Sequence, residues 1–185
     1  GLGELSMSTD VMVQTHCSES DWEHEHALDR FGVSDTAALD GFGLLGRGAI
    51  LAHANLASDV DLQLMAERGV GVAHCPLSNA YFAGSVFPSK RALGFGVQVG
   101  LGSDIAGGAS ASMLYQCHQA VTSSRILEDG VDALQPVKRR GVGASRVDIL
   151  TAFWMATVGG ARALRLPLGL IEVGHDFDAI AVDTM

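Results

Sequence analysis

The sequence predicts an α/β fold built on a parallel sheet, and three observations carry that expectation. Four short apolar runs, 11–16, 49–53, 70–74 and 97–104, each end in a polar side chain: His16, His53, His74 and Asp104. Runs of this kind suit strands covered by helices on both faces. Stretches with helical spacing and helix stop signals separate them, so that strand and helix alternate throughout. Four such units amount to half of an eight-stranded (β/α)8 TIM barrel, which typically needs ~250 residues. A doubly wound open sheet is the structural rival, but no Gly-x-Gly-x-x-Gly follows the first strand.

Each element has its own signal. The chain enters its first strand early, at residue 11. After His16 a polar stretch, 19–30, has helical character, and 41–48 reads as a loop before the second strand. Ser58 is placed to cap a helix in which Leu62, Met65 and Ala66 recur at helical spacing until Gly69. The third strand runs into Cys75-Pro76, which does not easily continue a strand. Pro88 opens a short helix to about Leu93. Beyond the fourth strand Gly107-Gly108 makes a turn, Ser110 or Ser112 caps a helix through about Glu128, and 130–143 is a loop. Ser145 is expected to cap a long helix from Val147 to about Leu164, ended by Pro167. A last strand-like run spans 177–183. No Met stands at position 1, and both ends read as cut, as in a segment of a longer protein.

Composition narrows the function classes. With 185 residues, 48% of them hydrophobic, the chain can bury the core of one domain. A net charge of −9 with scattered Lys and Arg gives no footprint for nucleic acid or an anionic membrane. The only basic run, Lys138-Arg139-Arg140, reads as a solvated loop. Three cysteines, Cys17, Cys75 and Cys117, make no disulfide framework and suit a reducing cytoplasm. No apolar run approaches the ~20 residues of a membrane helix, and the amino terminus does not read as a signal peptide.

The strand ends carry the chemistry. In α/β proteins the reactive groups sit at the carboxyl ends of strands, and His and Asp are side chains that bind a catalytic divalent metal. His16 ends a strand, and Glu19, three residues on, lies close enough to shuttle a proton without ligating. His53 and Asp104 end the second and fourth strands. His16, His53 and Asp104 are therefore expected to converge at one end of the sheet, with Glu19 above His16. His74-Cys75 invites a zinc reading, but adjacent strand residues point to opposite faces. A polar pocket wall is the better expectation there, with Ser78 and Asn79 organising the loop. His24-Glu25-His26 lies in a polar, helical stretch, where residues i and i+2 diverge by ~200°. It is read as a solvated face.

With these residues in hand, the chain resembles the amidohydrolase superfamily. The matching elements are Thr15-His16-Cys17-Ser18-Glu19, the strand-end His53, His74-Cys75-Pro76-Leu77-Ser78-Asn79 and Gly100-Leu101-Gly102-Ser103-Asp104. The last two are characteristic of its aminohydrolase branch, and Asp104-Ile105-Ala106-Gly107-Gly108 followed by Ser112-Met113-Leu114 looks most like the guanine-deaminating members. The resemblance implies strands five to eight of a metal-dependent hydrolase barrel in residues 1–166, and in 167–185 the start of a return to a small β-sandwich. His16 would be a zinc ligand, with iron the alternative metal. Asp104 would bind the metal and accept a proton from its water. His53 would hydrogen-bond the hydroxide or substrate, or ligate the metal, and Glu19 would shuttle the proton. His74, Ser78 and Asn79 would line the substrate pocket. The implied reaction is zinc-dependent hydrolytic deamination of guanine to xanthine and ammonia, by a cytoplasmic enzyme that is a homodimer at full length. The alternatives are another purine, a pyrimidine or a triazine as substrate, or a non-catalytic remnant of the barrel. The family's first-strand His-x-His pair is absent, since His24-Glu25-His26 lies after His16. With two or three ligands, the segment is not expected to hold an intact site alone.

Overall fold

The structure is a computed structural model that describes residues 1–9 and 11–183. Its centre is a four-stranded parallel sheet in the order β1-β2-β3-β4: β1 Val13–Cys17, β2 Ala49–His53, β3 Gly71–His74 and β4 Gln98–Leu101. Strictly sequential order is the winding of a barrel, whereas a doubly wound sheet reverses at a switch point. Cys17 pairs in register with His53, and His74 with Leu101, so the carboxyl ends of all four strands lie along one rim.

Helices cover the sheet. Before β1 comes α1, Leu2–Thr9, and between β1 and β2 lie α2, Asp21–Phe31, and α3, Asp35–Gly41. A capping box at Ser58 starts α4, Asp59–Arg68, and Gly69 ends it in the left-handed conformation at φ 68°. After β3 the chain forms a single turn, α5, Pro76–Ser78, which continues as the π-helical turn Asn79–Ala83; α6, Ser89–Gly94, leads into β4. Ser112 caps α7, Met113–Asp129, its Oγ accepting from the Tyr115 amide at 3.3 Å. The short α8, Val137–Arg140, precedes α9, Ile149–Trp154, which passes through a π-helical segment, Met155–Gly159, into α10, Gly160–Ala163. Leu51, Val72, Val99, Leu62, Met65 and Met155 form the heart of the core.

Small residues set how closely the last helical layer approaches the sheet. A Cβ at Gly100 would lie 2.7 Å from Gly160 Cα, and one at Gly71 would meet Ile50 Cδ1 at 2.7 Å and Ala163 Cβ at 2.9 Å. A side chain at Gly100 would force backbone to move, and one at Gly71 would push on Ile50 and Ala163.

Several sequence expectations are corrected. The chain opens on α1, and β1 begins at Val13; Val11 and Met12 precede it, exposed. β1 is not apolar on both faces, because Gln14 and His16 are exposed on an edge strand. β4 stops at Leu101, so Asp104 stands in the loop beyond it. Asp148, not Ser145, caps α9, since Asp148 Oδ1 accepts from the Thr151 amide at 2.7 Å, while the Ser145 hydroxyl donates to the Val142 carbonyl. Lys138-Arg139-Arg140 lies on α8, within the expected loop. Residues 177–183 form no strand.

Candidate active site

The site is built from the rim where the strands end. His16, next to last in β1, is exposed, and His53, last in β2, is buried. Their rings stack at 5.2 Å between centroids, 18° from parallel. Glu19 follows in the loop between β1 and α2, and its Oε1 lies 3.8 Å from His53 Nε2. One ligand atom from each of His16, Glu19 and His53 falls within 4.8 Å of the other two.

The peptide of Glu19 is tied on both sides. Its carbonyl accepts from Asn55 Nδ2 at 2.9 Å, and its amide donates to Glu23 Oε2 at 2.6 Å. Before it, Ser18 turns at φ 47°, and both its amide and its hydroxyl donate to the carboxylate of Asp35. The loop is thereby fixed while the Glu19 carboxylate stays partly open to solvent. His53 also takes a left-handed backbone, φ 70°, an uncommon conformation for a residue other than glycine.

Beyond His53 the contacts run through buried groups. His53 Nδ1 lies 2.8 Å from Asn79 Oδ1, and Asn79 Nδ2 lies 3.4 Å from His74 Nδ1. Burial, then the neighbouring His53, pushes the His74 imidazole down to about 3, so it is neutral near pH 7. Asp104 turns at φ 51°, and its Oδ2 accepts from Ser78 Oγ at 2.6 Å. The structure brings His16, Glu19 and His53 into one group; Asp104 stands outside it, beside Ser78. His74, Ser78 and Asn79 are all buried.

Neither alternative cluster forms a ligand group. Burial, then Asp104 and Glu19, pushes the Cys75 thiol up to about 12, and its Sγ lies 3.5 Å from the Ala73 carbonyl. Among the described residues, Cys75 is not part of the group whose atoms lie close enough to share an ion. His24 and His26 lie on α2, where His24 faces Ser18 and Asp35 while His26 stacks on Trp22 in solvent. Sequence reasoning missed Asn55 and Asp35. Asn55 follows His53 by two residues, and that proximity is the only signal of it in the sequence; Asp35 has none.

Two imidazoles and a carboxylate form a nitrogen–oxygen donor set, which suits zinc and also iron. The residues present therefore fit a divalent metal.

Comparison with known proteins bears on this rim. Residues 2–184 match the amidohydrolase family. The chain is 37% identical to a 5-methylthioadenosine/S-adenosylhomocysteine deaminase of Thermococcus onnurineus, over 93% of this chain and 38% of that protein. It is 33% identical to the guanine deaminase of Rattus norvegicus, over 98% of this chain and 39% of that enzyme. A solved adenosine deaminase from Xanthomonas campestris with bound zinc superposes with a TM-score of 0.75 at 28% identity, covering 92% of this chain and 37% of that one. The chain thus spans about two-fifths of the length of these proteins.

Proposed function

The chain belongs to the amidohydrolase family, and from that premise we propose that it works as the carboxyl-terminal half of a zinc-dependent barrel hydrolase that deaminates guanine to xanthine and ammonia. The observation that carries the reading is the group formed by His16, Glu19 and His53 at the strand ends. The 33% identity to a guanine deaminase, across nearly the whole chain, supports the substrate.

In this reading His16 would hold the metal with His53 beside it in the same group, and Asp104, which stands outside that group, would join them together with ligands from outside these residues. Zinc, when bound, supplies a Lewis acid that makes water nucleophilic near neutral pH. Asp104 accepts a proton from the attacking water, and Ser78 orients the carboxylate that does so. Water adds to the amino-bearing carbon of the ring. The water's two protons go to different places: Glu19 carries one to the ring nitrogen, where it stays, and relays the other, accepted by Asp104, to the departing amine as the carbonyl forms, the carbon–nitrogen bond breaks and ammonia leaves. His53 Nε2, 3.8 Å from the Glu19 carboxylate, holds the attacking oxygen or joins the ligands. His74, Ser78 and Asn79 belong to the wall behind the substrate. Residues 167–185 begin the return to a flanking β-sandwich. Among the described residues, no helix is long and apolar enough to cross a membrane. Three free buried thiols support a cytoplasmic location; a homodimer rests on the resemblance alone.

A second reading keeps the chemistry and changes the substrate to an adenine thioether nucleoside. The 37% identity to a 5-methylthioadenosine/S-adenosylhomocysteine deaminase favours it. Purified full-length protein assayed with guanine, 5-methylthioadenosine and a chlorotriazine, with zinc content measured in parallel, tests both. Guanine turnover is expected to lead. Turnover of 5-methylthioadenosine alone would select the second reading, and stoichiometric zinc with no turnover of any of the three would overturn both.

A further inference from the structure

Asn79 opens the π-helical turn after α5 with no exposed surface, and both ends of its amide are engaged. The oxygen meets His53 Nδ1 at 2.8 Å and the nitrogen meets His74 Nδ1 at 3.4 Å. An amide oxygen only accepts and an amide nitrogen only donates. A neutral His53 in this contact must carry its proton on Nδ1, and His74 must present a lone pair on its own Nδ1. His74 is buried against Phe87 and stays neutral, the form that can accept there. We infer that Asn79 is a positioning residue that fixes the tautomer of His53, so that its Nε2 lone pair faces the strand-end site and is free for a cation or a proton.

The surroundings sharpen the inference. The Nε2 lone pair faces Glu19 Oε1 at 3.8 Å, and a His16 ligand atom lies in the same group. With the His53 proton on Nδ1, nothing on that ring can donate to the carboxylate. Electron-rich atoms held this close repel one another until positive charge comes between them. The fold holds them in place regardless: β2 ends at His53 in a left-handed turn, and Asn55 ties down the Glu19 peptide. Asn79 thus prepares an electrophile site by placing a proton on the far side of the ring, as partners behind a ligating histidine commonly do. The inference rests on the metal-site reading for what fills the position, while its own content is where one proton sits.

The test uses full-length protein stripped of metal and labelled with 15N-histidine, at a pH where His53 is neutral. Long-range 1H–15N correlation spectra report which ring nitrogen is protonated. The expected result for His53 is a protonated Nδ1 and a free Nε2. Asn79→Leu should leave a tautomer mixture and weaken zinc binding by about 10–100-fold. Asn79→Asp keeps an acceptor opposite His53 and should keep its Nδ1 protonated, while His74 must turn its own Nδ1 into a donor. A wild-type spectrum with the proton on Nε2 would overturn the inference, whatever the variants do. So would a folded Asn79→Leu protein with the wild-type tautomer and zinc affinity. The expected tautomer in a protein that deaminates nothing would uphold this inference while removing the activity proposed above.

Discussion

Glu19 is held by its backbone and left free at its carboxylate, an arrangement that suits a group meant to move protons. Asn55 and Glu23 fix the peptide, and the carboxylate looks toward His53. Glu19→Gln in the full-length protein is expected to keep zinc and lose about 10²–10⁴ in turnover, because the amide hydrogen-bonds without exchanging protons usefully. Metal content measured beside guanine turnover checks this, and near-normal turnover would reduce Glu19 to a loop carboxylate. Ser78→Ala removes the donor to Asp104 and is expected to cost about 10–100-fold in zinc affinity or activity. Asp104→Asn should lower both together, and an Asn variant with normal zinc content would separate Asp104 from the metal. The position of His53 was legible in the sequence because a strand end marks itself, an apolar run stopping at a polar group; His16 and Glu19 were placed near the same rim although β1 itself is part polar. Asn55 and Asp35 were not legible, because their roles exist only through neighbours that folding brings to them.

At the scale of elements, what could be read depended on whether the signal was local. The helix α4 was legible at both ends, since Ser58 and Gly69 are chemical start and stop marks. Ser145 had the same chemistry as a cap, but Asp148 took that place nearer the apolar run, and the Ser145 amide went to Glu128 Oε2 at 2.8 Å instead. The helix α3 has a serine cap too, Ser34, but its seven residues offer too short a period to stand out. The close approach of β4 to α10 was not legible at all, because Gly100 and Gly160 are distant in sequence and abundant glycine reads as turns. That approach makes a sharp stability prediction. Gly100→Ala should destabilise the protein by about 1–3 kcal/mol, as overpacking against backbone does. Urea denaturation of the full-length variant checks it, and an unchanged midpoint would show that the helix can withdraw without cost.

On the scale of the whole molecule, the described sheet has two open edges, on β1 and β4. Large apolar side chains such as Leu114, Phe153 and Ile180 are exposed around the rim and tail. Unpaired strand edges and apolar surface recruit other chains. These 185 residues expressed alone are expected to associate or dissolve poorly; sedimentation and unfolding curves check this, and a monodisperse, cooperatively unfolding monomer would contradict the half-barrel reading. The three thiols have a different consequence. Cys17 closes β1, Cys75 follows β3 and Cys117 lies in α7, all buried, and burial is the main force raising each above the ordinary thiol range. In the closed molecule they should be blind to an alkylating reagent near neutral pH, and each becomes reactive only when its own region opens. The chain therefore carries three chemical clocks, and the order in which mass spectrometry finds them labelled would say which part of the half-barrel breathes first.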